Sequence, residues 1–392
     1  MRYGQILLMF LILTSMNCSS LNNDYIQLHH NAVVVDMHCD TVLDLINGDD
    51  IAARDSLAHL DLPKMKTGGI DLQVFACFVW TETTPEEAYE KVNLMIDTLE
   101  TQIAENSEKI ELCYTADQAK QIIAQDKIAA FLAIENGVAL GGDLARLNHF
   151  YNRGIRYLTL THIASNDLGT SSSDTLRPGE GLTEFGKRVI KRMNELGMII
   201  DISHARSATV DDVLKITVDP IIASHSCAMK FCNHDRNLTD EQIKKIAKNG
   251  GVIGINYFVY YLSQRAKDIS DSIDAVYKDD FAAARAKYPD DHKKRRELLA
   301  HVYAAKDKAL ENVNVDIGTI VDHIDHIVKL VGPNHVGLGS DFDGVSRLPE
   351  GLQDCSMVPN ITKELVNRGY SKEDIKKILG GNFLRVFKQV CG

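Results

Sequence analysis

The stretch Val33-Val34-Val35-Asp36-Met37-His38-Cys39-Asp40 is a β-branched apolar run that ends in a histidine and an aspartate two residues apart. In a β-strand, side chains at positions i and i+2 point to the same side, so His38 and Asp40 can approach one cation together. An imidazole nitrogen beside a carboxylate oxygen is typical of a divalent transition-metal site, and of zinc in particular. The pair alone fits either a metal site or an ordinary polar strand end.

Seven further apolar runs predict seven more strands, at residues 71–79, 128–134, 156–161, 198–203, 220–224, 251–256 and 335–340. Segments with helical spacing of apolar residues separate them, for example residues 85–104, 183–196 and 240–248. Strands that alternate with helices predict a parallel sheet covered on both faces. Eight such units favour an α/β fold, a (β/α)8 TIM barrel in one domain over residues 25–392, rather than an open doubly wound sheet.

Metal-binding residue types recur where these predicted strands end. Glu135 follows the third strand, His162 the fourth, His204 the fifth, His225 the sixth and Asp341 the eighth. In a TIM barrel all these positions surround one mouth, together with His38 and Asp40. A mononuclear catalytic zinc site uses three protein ligands. The larger set therefore predicts two ions ~3.5–4 Å apart that share one carboxylate.

A family resemblance rests on seven motifs that span most of the chain. They are Asp36-Met37-His38-Cys39-Asp40, Ala133-Ile134-Glu135-Asn136-Gly137, Leu158-Thr159-Leu160-Thr161-His162, Asp201-Ile202-Ser203-His204-Ala205, Ala223-Ser224-His225-Ser226, Asn233-His234-Asp235-Arg236-Asn237 and Gly339-Ser340-Asp341-Phe342-Asp343-Gly344. In these motifs and their order the chain resembles the renal (membrane) dipeptidase family of zinc metallopeptidases, within the amidohydrolase-like superfamily.

The resemblance implies a binuclear zinc centre with two Zn²⁺ per chain. His38 and Asp40 would bind one ion, His204 and His225 would bind the other, and Glu135 would bridge both. A hydroxide between the two ions would attack the peptide bond of a free dipeptide.

The resemblance also implies roles for three residues that contact the substrate or the attacking water. Asp341 would accept the proton of the water and pass it to the leaving amine, and His162 would stabilise the carbonyl oxygen. Arg236 would bind the free carboxylate of the C-terminal residue, because a guanidinium group matches a carboxylate in shape. The alternatives are another binuclear amidohydrolase, such as an N-acyl amino acid hydrolase or a deaminase, and a non-catalytic binding protein of the cell envelope.

The first residues have the pattern of an export signal. Arg2 supplies a positive start, residues 6–13 form an apolar run, and Ser15-Met16-Asn17-Cys18-Ser19-Ser20 follows. This resembles a bacterial lipoprotein signal over residues 1–18, which predicts export to the periplasm or cell envelope and membrane attachment through a lipidated Cys18. Asn17 is an unusual residue before such a cysteine, so ordinary signal cleavage nearby stays an alternative. The formal net charge of −11 argues against a nucleic-acid partner.

A charged, Ala-rich segment over about residues 262–315 is too long for an ordinary crossover between two strands. Its composition predicts a helical insertion after the seventh strand. It can be a solvated excursion, a cover over the barrel mouth or a dimer contact; the family resemblance points to a homodimer. The nearby Asp322-His323-Ile324-Asp325-His326 has ligand-type residues, but its helical apolar spacing predicts a surface or supporting role instead.

Overall fold

A closed barrel of parallel strands forms the centre of the computed structural model, which describes residues 24–177, 179–288 and 291–392. The expected export signal lies outside these residues. The strands are β1 Val35–Cys39, β2 Leu72–Phe78, β3 Ile110–Leu112, β4 Ile128–Glu135, β5 Ile155–Thr159, β6 Ile199–Asp201, β7 Ile222–Ala223, β8 Val252–Ile255 and β9 Val336–Leu338. Their order is β2-β1-β9-β8-β7-β6-β5-β4-β3, and an additional pairing of β2 with β4 closes the barrel. The predicted (β/α)8 barrel is confirmed.

One strand, β3, was not expected from the sequence. It pairs in parallel with Ile128, Ala129 and Ala130 at the start of β4, whereas β5 pairs with the same edge of β4 further along. The strand therefore lies outside the closed ring of eight. Its three residues are too few to show an alternating pattern in the sequence, because only Glu111 among them is exposed.

Helices fill the connections between the strands. They are α1 Val42–Leu45, α2 Leu62–Gly68, α3 Pro85–Glu105, α4 Ala116–Ile123, α5 Leu144–Asn152, α6 Glu184–Leu196, α7 Ser207–Ile216, α8 Asp240–Lys248, α9 Val259–Leu262, α10 Gln264–Val276, α11 Lys278–Lys287, α12 His292–Leu298, α13 Ala300–Ala309, α14 Ile317–Val331, α15 Pro359–Asn367, α16 Lys372–Lys376 and α17 Asn382–Cys391. Residues 24–30 are also helical. Short 3-10 helices lie at Gly137–Leu140, Pro333–His335 and Cys355–Met357, and a π-helical turn at Lys377–Gly381. Capping boxes begin α3 and α8, which explains why these two helices start where the sequence predicts.

The inside of the barrel is a packed core rather than a channel. Met37, Val74, Phe131 and Tyr157 are completely buried there. At the N-terminal end of the strands Phe387 of α17 packs against Phe131, with ring centres 4.9 Å apart. The bottom of the barrel is thereby closed, and polar side chains can gather only at the opposite, C-terminal mouth.

The insertion after β8 consists of helices α9 to α13 and contacts loops at the barrel mouth. An ion pair joins Arg347, after β9, to Asp307 of α13, and α12 packs against α1, which follows β1. A second pair joins Arg285 of α11 to Glu82, after β2, at 3.6 Å. Of the three interpretations of this segment, the contacts favour a cover over part of the mouth. Across the described residues, no helix combines the length and apolar character required to cross a bilayer.

The ligand-type residues at 322–326 have structural roles. His323 is buried: its Nδ1 accepts a hydrogen bond from the amide of Ala228 at 3.0 Å, so its Nε2 donates to the carbonyl of Leu262, also at 3.0 Å. Asp322 and Asp325 both form ion pairs with Arg368. His323 is thus a supporting residue that joins the loop after β7 to the start of the insertion.

Candidate metal centre

All seven metal-type side chains predicted at strand ends converge at the barrel mouth. Their ligand atoms form three groups, and within each group these atoms lie within 4.8 Å of one another: His38, Glu135 and His225; Glu135, His162 and His204; and His38, Asp40 and Asp341. Two of them have left-handed backbone conformations, His204 with φ 65° and Asp341 with φ 62°. Such backbone is uncommon outside glycine and is concentrated at functional sites.

Glu135 is at the centre of this cluster. Its Oε2 lies 3.5 Å from Nε2 of His38, whereas its Oε1 lies 3.0 Å from Nε2 of His204 and 3.3 Å from Nε2 of His225. The two carboxylate oxygens therefore face different histidines. This is the arrangement that a bridging carboxylate between two cations requires.

The tautomer of His38 is determined by a hydrogen-bond chain from the barrel core. The hydroxyl of Tyr157 donates to the carbonyl of Met37 at 3.1 Å and lies 2.8 Å from Nδ1 of His38. Because a carbonyl only accepts, the hydroxyl proton is used there, and Nδ1 of His38 must donate to the tyrosine oxygen. In the neutral, metal-binding form of His38 the lone pair is consequently on Nε2, the atom that faces Glu135.

A similar chain determines the tautomer of His225. The carboxylate of Asp201 accepts from the hydroxyl of Ser224 at 2.6 Å, and this hydroxyl lies 2.7 Å from Nδ1 of His225. Nδ1 therefore donates to Ser224, and Nε2 presents its lone pair to Glu135 and His204. Both histidines are prepared to bind a metal ion.

The donor set fits divalent cations. Nε2 of His38 and Oδ1 of Asp40 are buried and have no hydrogen-bond partner among the described residues, and such orphaned atoms are costly unless a ligand satisfies them. Burial opposes protonation of His38, but the negative charges of Glu135, Asp40 and Asp341 raise its pKa to about 10. The surroundings thus bind positive charge strongly, and imidazole with carboxylate is the ligand chemistry of zinc.

Asp341 lies beside this centre and is held by residues of two other strand ends. Its Oδ2 accepts a hydrogen bond from Asn256 at 2.8 Å, and its amide donates to the carbonyl of His38 at 3.1 Å. Burial raises the pKa of Asp341 to about 6. At Gly344 a Cβ atom would overlap the carboxylate oxygens of Asp40 and Asp341, so glycine is required for the chain to pass this close to them.

His162 occupies the side of the cluster that faces the loop after β2. Its ring centre lies 4.2 Å from that of His204, 4.5 Å from that of Phe78 and 5.7 Å from that of Trp80. Burial lowers the pKa of His162 to about 4. The ring is therefore neutral at neutral pH, and it is partly accessible from the mouth.

Arg236 lies at the opposite side, in the loop after β7. The residue is 4% exposed, and its guanidinium group donates from Nη2 to the carbonyl of His225 at 3.0 Å. Its Nε is buried and has no hydrogen-bond partner among the described residues. A buried guanidinium with an unused N–H beside the cluster fits an anionic group of the substrate.

Several residues that hold the site together were not identified from the sequence: Asp36, Tyr157, Asp201, Ser224, Asn256 and Ser340. Asp36 accepts from the amide of Ser340 at 2.8 Å and from its hydroxyl at 2.5 Å, as Asp201 does from Ser224 at 2.8 and 2.6 Å. Each serine immediately precedes a site residue. A charged residue inside a buried strand, shortly before a histidine, is the sequence signal that would have indicated these aspartates.

A TIM barrel whose mouth holds this imidazole and carboxylate cluster defines a metal-dependent hydrolase. Comparison with known proteins specifies the class. The model of the family described as "Membrane dipeptidase (Peptidase family M19)" matches residues 23–391 of this chain. The chain belongs to this family and is a metal-dependent dipeptidase, as its sequence motifs predict.

Individual relatives agree with this assignment. An uncharacterized dipeptidase of Schizosaccharomyces pombe is 31% identical over 350 residues, which cover 85% of this chain and 72% of the relative. The crystal structure of the probable dipeptidase PvdM from Pseudomonas aeruginosa is 28% identical, covers 95% of this chain and 98% of its own, and has a TM-score of 0.80. A metallo peptidase from Rhodobacter sphaeroides, liganded with a phosphinate mimic of the dipeptide L-Ala-D-Ala, shares the fold at 24% identity, with a TM-score of 0.75 over 92% of this chain and all of that one.

Proposed function

We propose that the centre holds two zinc ions and that Glu135 bridges them. His38 and Asp40 would bind one ion, and His204 and His225 the other. The observation that carries this assignment is the division of the Glu135 carboxylate, with one oxygen towards His38 and the other towards His204 and His225. The tautomers of His38 and His225 support it, because each places its free lone pair on the ring nitrogen nearest Glu135.

The residues around the ions would divide the chemistry of peptide hydrolysis. Bound zinc ions would act as Lewis acids on the attacking water and the scissile carbonyl. Asp341, whose Oδ2 is occupied by Asn256, accepts the proton of the water at Oδ1 and returns it to the leaving amine. The neutral ring of His162 donates a hydrogen bond to the carbonyl oxygen, which gains negative charge during the attack.

Arg236 would restrict the substrate to free dipeptides. Its buried guanidinium group binds the carboxylate of the C-terminal residue, and a longer peptide has no carboxylate at this distance from the scissile bond. The buried and unpartnered Nε supports this role. The net charge of −11 does not help to bind this carboxylate, because negative charges repel each other. The binding therefore depends on Arg236.

We expect Arg236→Met to lower kcat/KM for Ala-Ala by about 30-fold or more, since truncating one partner of a buried charge pair costs at least about 2 kcal/mol. Hydrolysis of the amidated dipeptide, which we expect to be slower in the natural enzyme, should be unchanged, because this substrate has no carboxylate for Arg236 to bind. Steady-state kinetics on both substrates measure this difference. Arg236→Lys is the matched control, which retains the charge but lacks the two-pronged geometry. An equal fall for both substrates would show that Arg236 does not bind the carboxylate.

Export and assembly are proposals from the sequence. The positive Arg2, the apolar run over residues 6–13 and Cys18 support secretion to the periplasm or cell envelope, with Cys18 as the lipid attachment site. The family match begins at residue 23, after this segment, which supports the proposal that residues 1–18 are separate from the catalytic domain. A homodimer remains an expectation of the family resemblance.

A further inference from the structure

An arginine-lined cavity of about 490 Å³, here called the arginine cavity, lies between the insertion and the loop after β2. Its walls include three arginines and three aromatic residues: Arg285, Arg295, Arg296, Trp80, Phe281 and Tyr303. None of the described residues that line it is acidic. In a chain with a net charge of −11, three guanidinium groups line this one cavity, and guanidinium groups attract anions.

Two of these arginines are held in place by the same tryptophan. The Cζ atom of Arg285 lies 5.0 Å from the centre of the Trp80 ring, and that of Arg295 lies 5.5 Å from it. Arg295 is 9% exposed and also donates to the carbonyl of Tyr288 at 2.9 Å. The pair of Arg285 with Glu82 is more than half exposed on both sides, so water weakens it and little of the arginine charge is neutralised.

Trp80 connects this cavity to the metal centre. Its ring stands nearly perpendicular to that of His162, with the ring centres 5.7 Å apart. Trp80 follows β2, whereas Arg236 follows β7. Around the closed ring, β7 is reached from β2 through β1, β9 and β8 in one direction and through β4, β5 and β6 in the other. The two sites therefore lie on opposite sides of the mouth, with His162 and the metal cluster between them.

We propose that the arginine cavity binds an acidic side chain, glutamate or aspartate, on the N-terminal residue of a dipeptide. The proposal rests on the function proposed above, because a C-terminal carboxylate held by Arg236 directs the N-terminal residue across the mouth towards Trp80. The guanidinium groups supply paired N–H donors for a carboxylate. The rings of Trp80 and Phe281 supply a surface for the aliphatic part of the side chain.

The test compares Glu-Ala with Gln-Ala, which has the same shape but no charge, and with Ala-Ala as the reference. In the zinc-loaded enzyme we expect kcat/KM for Glu-Ala to exceed that for Gln-Ala by about tenfold or more, since hydrogen bonds to charged groups are the strong ones. The double variant Arg285→Met and Arg296→Met should abolish this preference and leave Ala-Ala hydrolysis unchanged. Arg295 is left intact because it is buried within the insertion.

A second double variant controls for the loss of positive charge. Arg265→Met with Lys278→Met removes two exposed charges of the same insertion outside the cavity, and it should retain the preference for Glu-Ala. The subsite would be overturned by equal rates for Glu-Ala and Gln-Ala in the natural enzyme, or by a preference that survives in the double variant Arg285→Met and Arg296→Met. The insertion would then be only a structural cover, and continued Ala-Ala hydrolysis would still support the proposed function. Failure to hydrolyse all three dipeptides would overturn the proposed function and the subsite with it.

Discussion

Replacing Asp341 with asparagine is expected to lower kcat for Ala-Ala by about 10²–10⁴-fold, the range of a general acid–base contribution, while both metal ions stay bound. Burial raises the pKa of Asp341 to about 6, so the carboxylate is ionised at neutral pH and still basic enough to accept a proton. Asparagine has the same shape as aspartate, but its neutral amide cannot take up a proton from the attacking water. Steady-state kinetics and metal analysis on the same preparation measure the two effects separately.

The matched control for this variant is Asp343→Asn. Asp343 is two residues further on and accepts from the hydroxyl of Thr41 and the amide of His59, both at 2.6 Å. It belongs to none of the three ligand groups, so the same chemical change there should alter kcat little. If Asp341→Asn retains both ions and turns over within about tenfold of the natural enzyme, Asp341 is not the proton acceptor.

Replacing Glu135 with glutamine should have the other large effect, on metal binding itself. The change removes the negative charge shared by His38, His204 and His225. Loss of a partner that only supports a ligand typically lowers metal affinity or activity by about 10–100-fold, and loss of the bridging ligand should exceed this. We expect at most one tightly bound ion per chain and an equally severe loss of dipeptide hydrolysis.

Metal analysis after dialysis against a weak chelator measures this result. Glu180→Gln, which changes an exposed glutamate in a loop, is the control and should bind metal like the natural chain. Two ions per chain in Glu135→Gln, with affinity unchanged, would contradict the bridging role.

The positions of the candidate ligands were predictable because a parallel barrel brings all strand ends to one face. His38, His204 and His225 could be identified from a histidine that follows an apolar run, without any knowledge of contacts. The hydrogen bond that His38 donates to Tyr157 could not be predicted, since it joins residues 119 positions apart. Tyr157 lies inside β5, where its sequence context is that of an ordinary core residue.

The position of the insertion on the barrel could also not be predicted from the sequence. Composition over residues 262–315 predicts helices, which α10 to α13 confirm, but not the surface on which they pack. That surface is determined by side chains from distant parts of the chain, such as Trp80 with Arg285 and Arg347 with Asp307. None of these residues belongs to a local pattern. The specificity proposed for the arginine cavity therefore becomes visible only in the folded chain.

The binuclear zinc centre is tested most directly by a titration. Zinc is added back to the chelated enzyme, and the number of bound ions per chain is measured together with Ala-Ala hydrolysis. We expect binding to saturate at two ions per chain and full activity to require the second ion. Each oxygen of Glu135 would then complete one of the two sites. Saturation of binding and activity at one ion per chain, or hydrolysis that is independent of added metal, would contradict the binuclear zinc centre.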